Sequence, residues 1–190
     1  MCDDCSVARP PLIDRTTVLQ TGLAIADERG VEAVTMHAVS KRLGVTPMAL
    51  YRHVANKSDL LDGMVESLLT DFPLPDTGLA WQERLAVIGR AVRAVARRHP
   101  GVFPLLLRVP ANTPAGLRAR DAVCSALQDA GVPGDQIPRV ERLLSTMILG
   151  FAASEAGGRF RGERAKEIDA DFSYLEELVA RVLQSRAATE

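Results

Sequence analysis

The sequence predicts an all-α protein of about nine helices, and three observations favour this fold class. Apolar residues recur every three or four positions in one segment after another, which is the spacing of a helix with one buried face. Glycine, proline and helix-capping residues separate these segments. Aromatic residues make up only 4% of the 190 residues, and the aromatic and β-branched runs that are typical of strands are missing.

Four helices are predicted in the first part of the chain, each with recognisable ends. Thr35, Thr46 and Asn56 have side chains that can accept a hydrogen bond from the first turn of a helix. Gly30 and Gly44 can adopt the left-handed conformation that ends a helix. Bounded in this way, the four predicted helices are 15–29, 36–43, 47–53 and 57–72.

Five more helices are predicted after a proline-rich linker at residues 73–79. They are separated by H-P-G, T-P and G-G sequences, which interrupt helices. The charged stretch 159–171 has few apolar residues and is predicted to be a loop. The five predicted helices are 80–98, 102–108, 114–131, 135–156 and 172–186.

Residues 1–13 are polar and contain proline, and we expect them to form a disordered tail. Cys2 and Cys5 form a C-x-x-C pair, but no second cysteine pair or nearby histidine completes a zinc site. We therefore expect no metal. No apolar run reaches the roughly 18 residues that span a bilayer, and no signal peptide is recognisable. A cytoplasmic protein without membrane contact is expected.

Positive charge is concentrated in one short window, although the net charge of the chain is −1. Residues 35–57 contain no acidic residue, and a local basic face is what contact with phosphates requires. A solvated charged face would have the same composition, so charge alone leaves both interpretations open. The basic residues and histidines of the window are Lys41, Arg42, Arg52, Lys57, His37 and His53.

The same window has the pattern of a helix-turn-helix. Two short helices flank Gly44, which supplies the positive backbone angle of a tight turn, and Val45 would fill the space between them. Helices of roughly eight residues are too short to be stable alone, so we expect the first and fourth helices to pack around them. The second helix of such a motif enters the major groove of DNA.

Specific residues make this part of the chain similar to a known family. E-R-G at 28–30, T-x-x-x-V-x-x-x-L-G-V from Thr35 and L-Y-x-H-x-x-N-K at 50–57 resemble the DNA-binding region of the TetR family of repressors. A later segment, from W-Q-E-R-L at 81–85 to R-H-P-G at 98–101, resembles the subgroup whose C-terminal domain is like that of the tetracycline repressor.

The resemblance implies a domain organisation and a function. Residues 14–56 would form a helix-turn-helix three-helix bundle, residues 57–75 a connecting helix and linker, and residues 76–190 a helical ligand-binding and dimerisation domain. The protein would then be a transcription repressor that leaves its double-stranded DNA operator when a small molecule binds. No cofactor is expected.

The resemblance also assigns DNA contacts. Tyr51 and His53 match positions that contact phosphate, and Lys57 would bind phosphate at the start of the fourth helix. Arg52 faces outward and is a candidate for a further phosphate or guanine contact. Pro47, Met48 and Ala49 offer no side-chain hydrogen bond, so they would read thymine methyl groups and DNA shape rather than a guanine. The predicted DNA-binding residues are Met36, His37, Thr46, Pro47, Met48, Ala49, Tyr51, Arg52, His53 and Lys57.

A homodimer is expected, because one helix-turn-helix reads too few base pairs and a two-fold dimer on a palindromic operator solves this. The resemblance implies a four-helix bundle made by the last two helices of each protomer. The alternative is that the apolar faces of these helices belong to the core of a single chain. The predicted interface residues are Leu143, Met147, Ile148, Phe151, Leu175, Leu178 and Val182.

The resemblance further implies a ligand pocket among the helices between residues 80 and 156. The inward faces of these helices carry few polar groups, so the effector would be an apolar or aromatic small molecule. Taken singly, each candidate is more typical of an ordinary core residue than of a ligand contact. The predicted pocket residues are Trp81, Val92, Phe103, Leu107, Met147 and Phe151.

The sequence fits other classes of function less well than it fits a regulator. The sequence has no G-x-S-x-G, no glycine-rich phosphate loop after a strand and no His/Glu pair with metal-ligand spacing, so we do not expect an enzyme. A helical scaffold that binds other proteins would have no need for an acid-free basic window. A DNA-binding regulator without an effector differs only in the absence of a cavity from its second domain.

Overall fold

The computed structural model describes residues 13–107 and 113–187. The predicted tail, with Cys2 and Cys5, lies almost entirely outside the described residues, as does the end of the helix predicted at 102–108. The described residues contain eight α-helices and no strand, which confirms the all-α fold class. The helices are α1 (Arg15–Arg29), α2 (Met36–Leu43), α3 (Pro47–Leu50), α4 (Lys57–Thr70), α5 (Trp81–Arg98), α6 (Pro114–Asp129), α7 (Ile137–Ala156) and α8 (Ala165–Ala187).

Two short 3₁₀ helices complete the described structure. One, Val31–Ala33, was not predicted. The other, Phe103–Leu107, takes the place of the helix expected at 102–108.

Most helix ends follow the predicted capping chemistry. Thr35 Oγ1 accepts the N–H of Ala38 at 3.0 Å, and Asn56 Oδ1 accepts the N–H of Asp59 at 3.0 Å. Thr46 occupies the N-cap position of α3 as predicted, but its side chain makes no capping hydrogen bond. The N–H of Ala49, which that hydroxyl would bind, instead donates to the backbone carbonyl of Thr46 at 3.0 Å.

Helix α8 begins at Ala165, so half of the loop predicted at 159–171 is helical. Glu167 accepts hydrogen bonds from the backbone N–H and the guanidinium of Arg164, which closes the first turn of the helix. Alanine, lysine and glutamate favour helix on their own. Because this turn is exposed, it needs no apolar stripe, and the periodicity argument therefore missed it.

The first core lies among α1, α2, α3 and α4. Its centre consists of fully buried side chains from each of these helices, which hold the two short helices in place as the sequence predicts. Residues that follow α5 also enter this core. The central side chains are Val18, Val39, Leu50, Leu60, Met64 and Val102.

The second part of the chain has its own apolar cores among α5, α6, α7 and α8. Two arginines are buried there. Arg84 bonds to Asp129 and Ser125, and Arg93 forms two hydrogen bonds with Glu155 at 2.6 and 2.8 Å. Paired in this way, the buried charges keep the long helices in register.

Candidate nucleic-acid interface and internal cavity

The turn between α2 and α3 has the geometry that the sequence predicts. Gly44 adopts the left-handed conformation, with φ +68° and ψ +30°, and Val45 N–H bonds back to Ser40 carbonyl at 3.0 Å. Leu50 is fully buried and anchors α3, whereas Met48 on the opposite side is 74% exposed. Helix α3 is therefore held on the surface with one face free.

The predicted DNA-binding residues cluster on this surface. Of the ten, six are exposed and four are half-buried. The exposed ones are His37, Thr46, Pro47, Met48, Tyr51 and Arg52, and the half-buried ones are Met36, Ala49, His53 and Lys57. None of the ten is buried in the core.

A hydrogen-bond network fixes the start of α4 against the turn that follows α3. Arg15 donates to the backbone carbonyl of His53 at 2.5 Å and to Asp59 Oδ1 at 2.7 Å, and Asp59 also accepts the N–H of Ala55. These bonds hold the pKa of the Asp59 carboxyl below its ordinary value, the Arg15 bond being the main cause. The network sets the positions of His53 and Lys57 relative to α3. It was not predicted from the sequence, because Arg15 lies 38 residues from His53 and 44 residues from Asp59.

The free positive charge of this surface is smaller than the sequence indicates. Arg42 forms two hydrogen bonds of 2.6 Å with Glu28, a residue of α1 outside the acid-free window. Within the described residues, Lys41, Arg52 and Lys57 form no salt bridge. Lys41, which belongs to the basic window but not to the ten predicted DNA-binding residues, is exposed on α2.

A cavity opens between α4, α5, α6, α7 and α8. Its volume is about 180 Å³, measured as the space open to the centre of a water molecule. Most of its lining is apolar. Trp81 and Val92 line it as predicted, together with Val65, Leu69, Leu85, Ile88, Val123, Leu144, Ile148 and Val179.

Four of the six predicted pocket residues lie outside this lining. Phe103 is fully buried in a small core, and Leu107 and Met147 are exposed. Phe151 packs against Phe160 and Phe172, with ring centroids 5.4 and 5.3 Å apart. These side chains point to other sides of their segments, and helical phase rather than hydrophobicity decides which residues reach the cavity.

Helices α7 and α8 each carry an inner stripe, here defined as the residues at positions i, i+4, i+7 and i+11 that face inward. The inner stripe of α7 is Ile137, Glu141, Leu144 and Ile148, and that of α8 is Phe172, Glu176, Val179 and Leu183. Both stripes contain one glutamate, and both glutamates line the cavity. A glutamate at a position where the helical periodicity calls for an apolar residue could have indicated these cavity residues from the sequence, but neither glutamate was predicted.

The two glutamates are in different surroundings. Glu141 accepts a hydrogen bond from Ser145 at 3.0 Å and lies 3.6 Å from Arg120 Nε. Glu176 Oε1 is shielded from solvent and, among the described residues, accepts no hydrogen bond. Burial raises the pKa of the Glu176 carboxyl above its ordinary value, against the opposing effect of Arg90.

Both helices also carry an outer stripe of exposed apolar residues, Leu143 and Met147 on α7 with Tyr174, Leu178 and Val182 on α8. Four of these were predicted interface residues, and Tyr174 was not. Among the remaining predicted interface residues, Ile148 lines the cavity, while Phe151 and Leu175 are half-buried. Exposed apolar side chains of this number are typical of a surface that is covered in an assembly.

Glu176 offers a test of its own surroundings. Its raised pKa means that the wild type loses stability as pH rises from the unfolded-state value of about 4.3 through the raised native value. The charged groups that face it are Arg90, Glu83 and Arg93. We expect Glu176→Gln, which cannot ionise, to have a higher melting temperature than the wild type at pH 7 and an equal one near pH 4.

Calorimetry of both proteins at the two pH values makes this measurement. Glu177→Gln is the matched control, because Glu177 is exposed on the same helix and pairs only with Arg181 among the described residues. A lower melting temperature of Glu176→Gln at pH 7 would show that the carboxylate is stabilised in place.

Comparison with known proteins gives consistent matches for both parts of the chain. A model for bacterial regulatory proteins of the tetR family matches residues 18–64, and one for the tetracyclin repressor-like C-terminal domain matches residues 85–182. The HTH-type transcriptional repressor DrrR1 of Streptomyces coeruleorubidus is 26% identical over 164 residues, which are 85% of this chain and 61% of that protein. The chain thus spans less than two thirds of the length of that relative.

Two further matches cover more of the other protein. The tetracycline repressor protein class C of Escherichia coli is 31% identical over 163 residues, 80% of this chain and 72% of that protein. The crystal structure of BioQ with its double-stranded DNA operator superposes with a TM-score of 0.76 at 26% identity, covering 92% of this chain and 99% of that one. The chain therefore belongs to the tetR family of bacterial regulatory proteins, which are DNA-binding transcription regulators and not enzymes.

Proposed function

We propose that the chain is a homodimeric transcription repressor of the cytoplasm that binds a palindromic operator through α3 and releases it when a small, largely apolar molecule enters the cavity. The observation that carries the proposal is that one helix, α4, contributes to both surfaces. Lys57 stands at its first turn beside α3, and Val65 and Leu69 near its other end line the cavity. A ligand that displaces α4 at one end therefore moves the DNA-binding surface at the other.

The DNA side of the proposal follows from exposure and charge. Met48 extends from α3 and is suited to a thymine methyl group, while Tyr51, Arg52 and Lys57 are placed for phosphates. Helix α4 has 14 residues and a length of about 21 Å. Its N-terminus carries the positive end of the helix dipole next to Lys57, which favours a phosphate there.

A second contact joins α4 to the cavity wall. Glu66 on α4 accepts the N–H of Ala115 at 3.0 Å, in the first turn of α6. Thr113 and Gly116 of that same turn line the cavity. A ligand that moves the start of α6 thus acts on α4 directly, and its effect on operator affinity equals its preference for one of the two conformations.

Dimerisation is supported by the outer stripes of α7 and α8. Stacking these stripes of two protomers against each other would cover the exposed leucines, Met147 and Val182, and would give each dimer two copies of α3. Repression, rather than activation, is supported by the names of the relatives: both DrrR1 and the class C protein are repressors.

The proposal is tested by selecting duplexes that bind the purified protein from a random-sequence library. We expect a palindrome with half-sites one helical turn, or a multiple of it, apart. Selection of non-palindromic DNA, or of no DNA, would contradict the proposal.

The selected operator allows a sharper test of Lys57. Each phosphate contact adds about 0.9 to the slope of log K against log salt concentration, and a dimer has two copies of the residue. We expect Lys57→Ala to weaken operator binding and to reduce this slope by about two units. Fluorescence anisotropy between 50 and 300 mM salt measures the slope.

Lys166→Ala removes the same charge from an exposed position on α8 and should leave the slope unchanged. If both variants changed the slope equally, the effect would reflect net charge, and the assignment of Lys57 to the DNA contact would be wrong.

A further inference from the structure

We propose that the effector is a cation: an apolar molecule that carries a protonated amine, which Glu176 binds inside the cavity. This inference rests on the proposed function, in which the cavity is the ligand site. The geometry points to it through the balance of charge in the lining, the surroundings of one carboxylate and the position of that carboxylate in its helix.

One carboxylate in the cavity lining has no opposite charge beside it in that lining. The charged residues of the lining are Arg120, Glu141 and Glu176. Arg120 and Glu141 lie 3.6 Å apart and offset each other, and Ser145 adds a hydrogen bond to Glu141. Glu176 has no such partner in the cavity, so the lining has a net negative charge that an anionic ligand would meet as repulsion.

The charge of Glu176 is poorly compensated from outside the cavity as well. Two cations face it among the described residues, Arg90 and Arg93. Arg90 Nε is 4.0 Å from Glu176 Oε1, beyond hydrogen-bond distance, and Arg93 is already paired with Glu155 and Asp169. Arg90 is about half exposed and already bonds to Glu83 at 2.8 Å. A shielded carboxylate oxygen without a donor is unfavourable, and a ligand ammonium would supply the missing donor together with the opposite charge.

The fold holds this carboxylate in place. Glu176 lies between Phe172 and Val179 on the inner stripe of α8, and these neighbours on the same helix face are buried and half-buried. The Glu176 side chain is only 20% exposed. Trp81 lines the same cavity, and its ring offers a face on which a cation binds favourably.

The size of the cavity sets the size of the ligand. One water needs about 10–15 Å³ by the same measure, so 180 Å³ holds on the order of ten such groups. The remainder of the lining is mostly apolar. The ligand class is thus an amine on a compact hydrocarbon or aromatic body.

Three probes with one apolar body and different charges test this inference: 3-phenylpropylamine, 3-phenylpropanol and 3-phenylpropanoate. The fluorescence of Trp81 reports binding, because it is the single tryptophan of the chain. A charged hydrogen bond contributes about 1.5–3 kcal/mol, so we expect the amine to bind at least about tenfold more tightly than the alcohol, and the carboxylate most weakly.

Three variants connect the preference to Glu176. Glu176→Gln should reduce the amine-to-alcohol ratio of affinities to about one, chiefly by weakening the binding of the amine. Glu177→Gln, on the exposed side of the same helix, should keep the ratio of the wild type. Glu141→Gln should keep most of it, because Arg120 already offsets that carboxylate.

Equal binding of the three probes, failure of the amine to bind, or a preference that survives Glu176→Gln would overturn the inference. Operator affinity of the same proteins is measured in a second experiment, with and without each probe. If the amine binds through Glu176 but operator affinity does not change, Glu176 binds the amine as inferred, but the cation is not an effector and the proposed release mechanism is wrong. If the alcohol alone releases the operator, the release mechanism stands and the cationic effector is wrong.

Discussion

Replacing Leu178 and Val182 together with glutamate is expected to convert the protein into a monomer and to weaken operator binding by about 10²–10⁴-fold. The factor is the gain that two linked half-site contacts have over one. The two side chains are 42% and 50% exposed, so the substitutions create no cavity in the core of the protomer. In a dimer they would place four carboxylates in an apolar interface, where burial of unpaired charge is strongly unfavourable.

Sedimentation equilibrium gives the mass of the variant, and anisotropy on the selected operator gives its affinity. A double variant with Ser173→Glu and Gln184→Glu is the matched control. It adds the same charge to α8 at exposed positions beside the outer stripe and should remain dimeric. If Leu178→Glu with Val182→Glu stayed dimeric, the interface would have to lie elsewhere.

Gly101→Ala is expected to destabilise the protein by about 3 kcal/mol, the upper end of the range for overpacking. A Cβ built on Gly101 would lie 2.2 Å from the backbone carbonyl oxygen of Ala26 at the end of α1. The opposing atom belongs to the backbone and cannot rotate away. The turn after α5 therefore has to move from α1, and the same contact region includes His99, whose Nδ1 lies 2.7 Å from Asp27 Oδ2.

Chemical denaturation followed by far-ultraviolet circular dichroism measures the change in the free energy of unfolding. Gly134→Ala is the control, because a Cβ there meets no atom within 4 Å, and we expect a change within about 0.5 kcal/mol. Equal stability of Gly101→Ala and the wild type would mean that α1 and the turn after α5 are not in contact in solution.

The sequence predicts helices well where their signals are local. The bounds of α1 and α2 agree with the prediction, because Gly30 and Gly44 end them and Thr35 caps α2. The signals of the helix-turn-helix also lie within one window of 23 residues, but its second helix ends at Leu50, three residues before the predicted end. One error occurs at the exposed first turn of α8, where the sequence has no apolar periodicity. Another occurs at Thr46, where a backbone carbonyl accepts the N–H that the side chain was expected to bind.

The sequence did not indicate which residues of α7 and α8 face the cavity and which face the exterior, and the reason is geometrical. Periodicity shows which residues of a helix share a face, but α7 and α8 each have two apolar faces. Only packing against α5 and α6 decides that Ile148 faces the cavity and Met147 the exterior. These two neighbouring residues point in directions that differ by about 100° around the helix axis.

By itself the sequence therefore determined the all-α fold, the helix-turn-helix and the residues that α3 presents, because each depends on spacing and capping within a short segment. Only the tertiary structure decided which glutamates line the cavity. The same is true of the ion pair between Arg42 and Glu28, which neutralises that arginine, and of the close contact between Gly101 and α1. These depend on contacts between residues far apart in the chain, and such contacts exist only after the helices have packed.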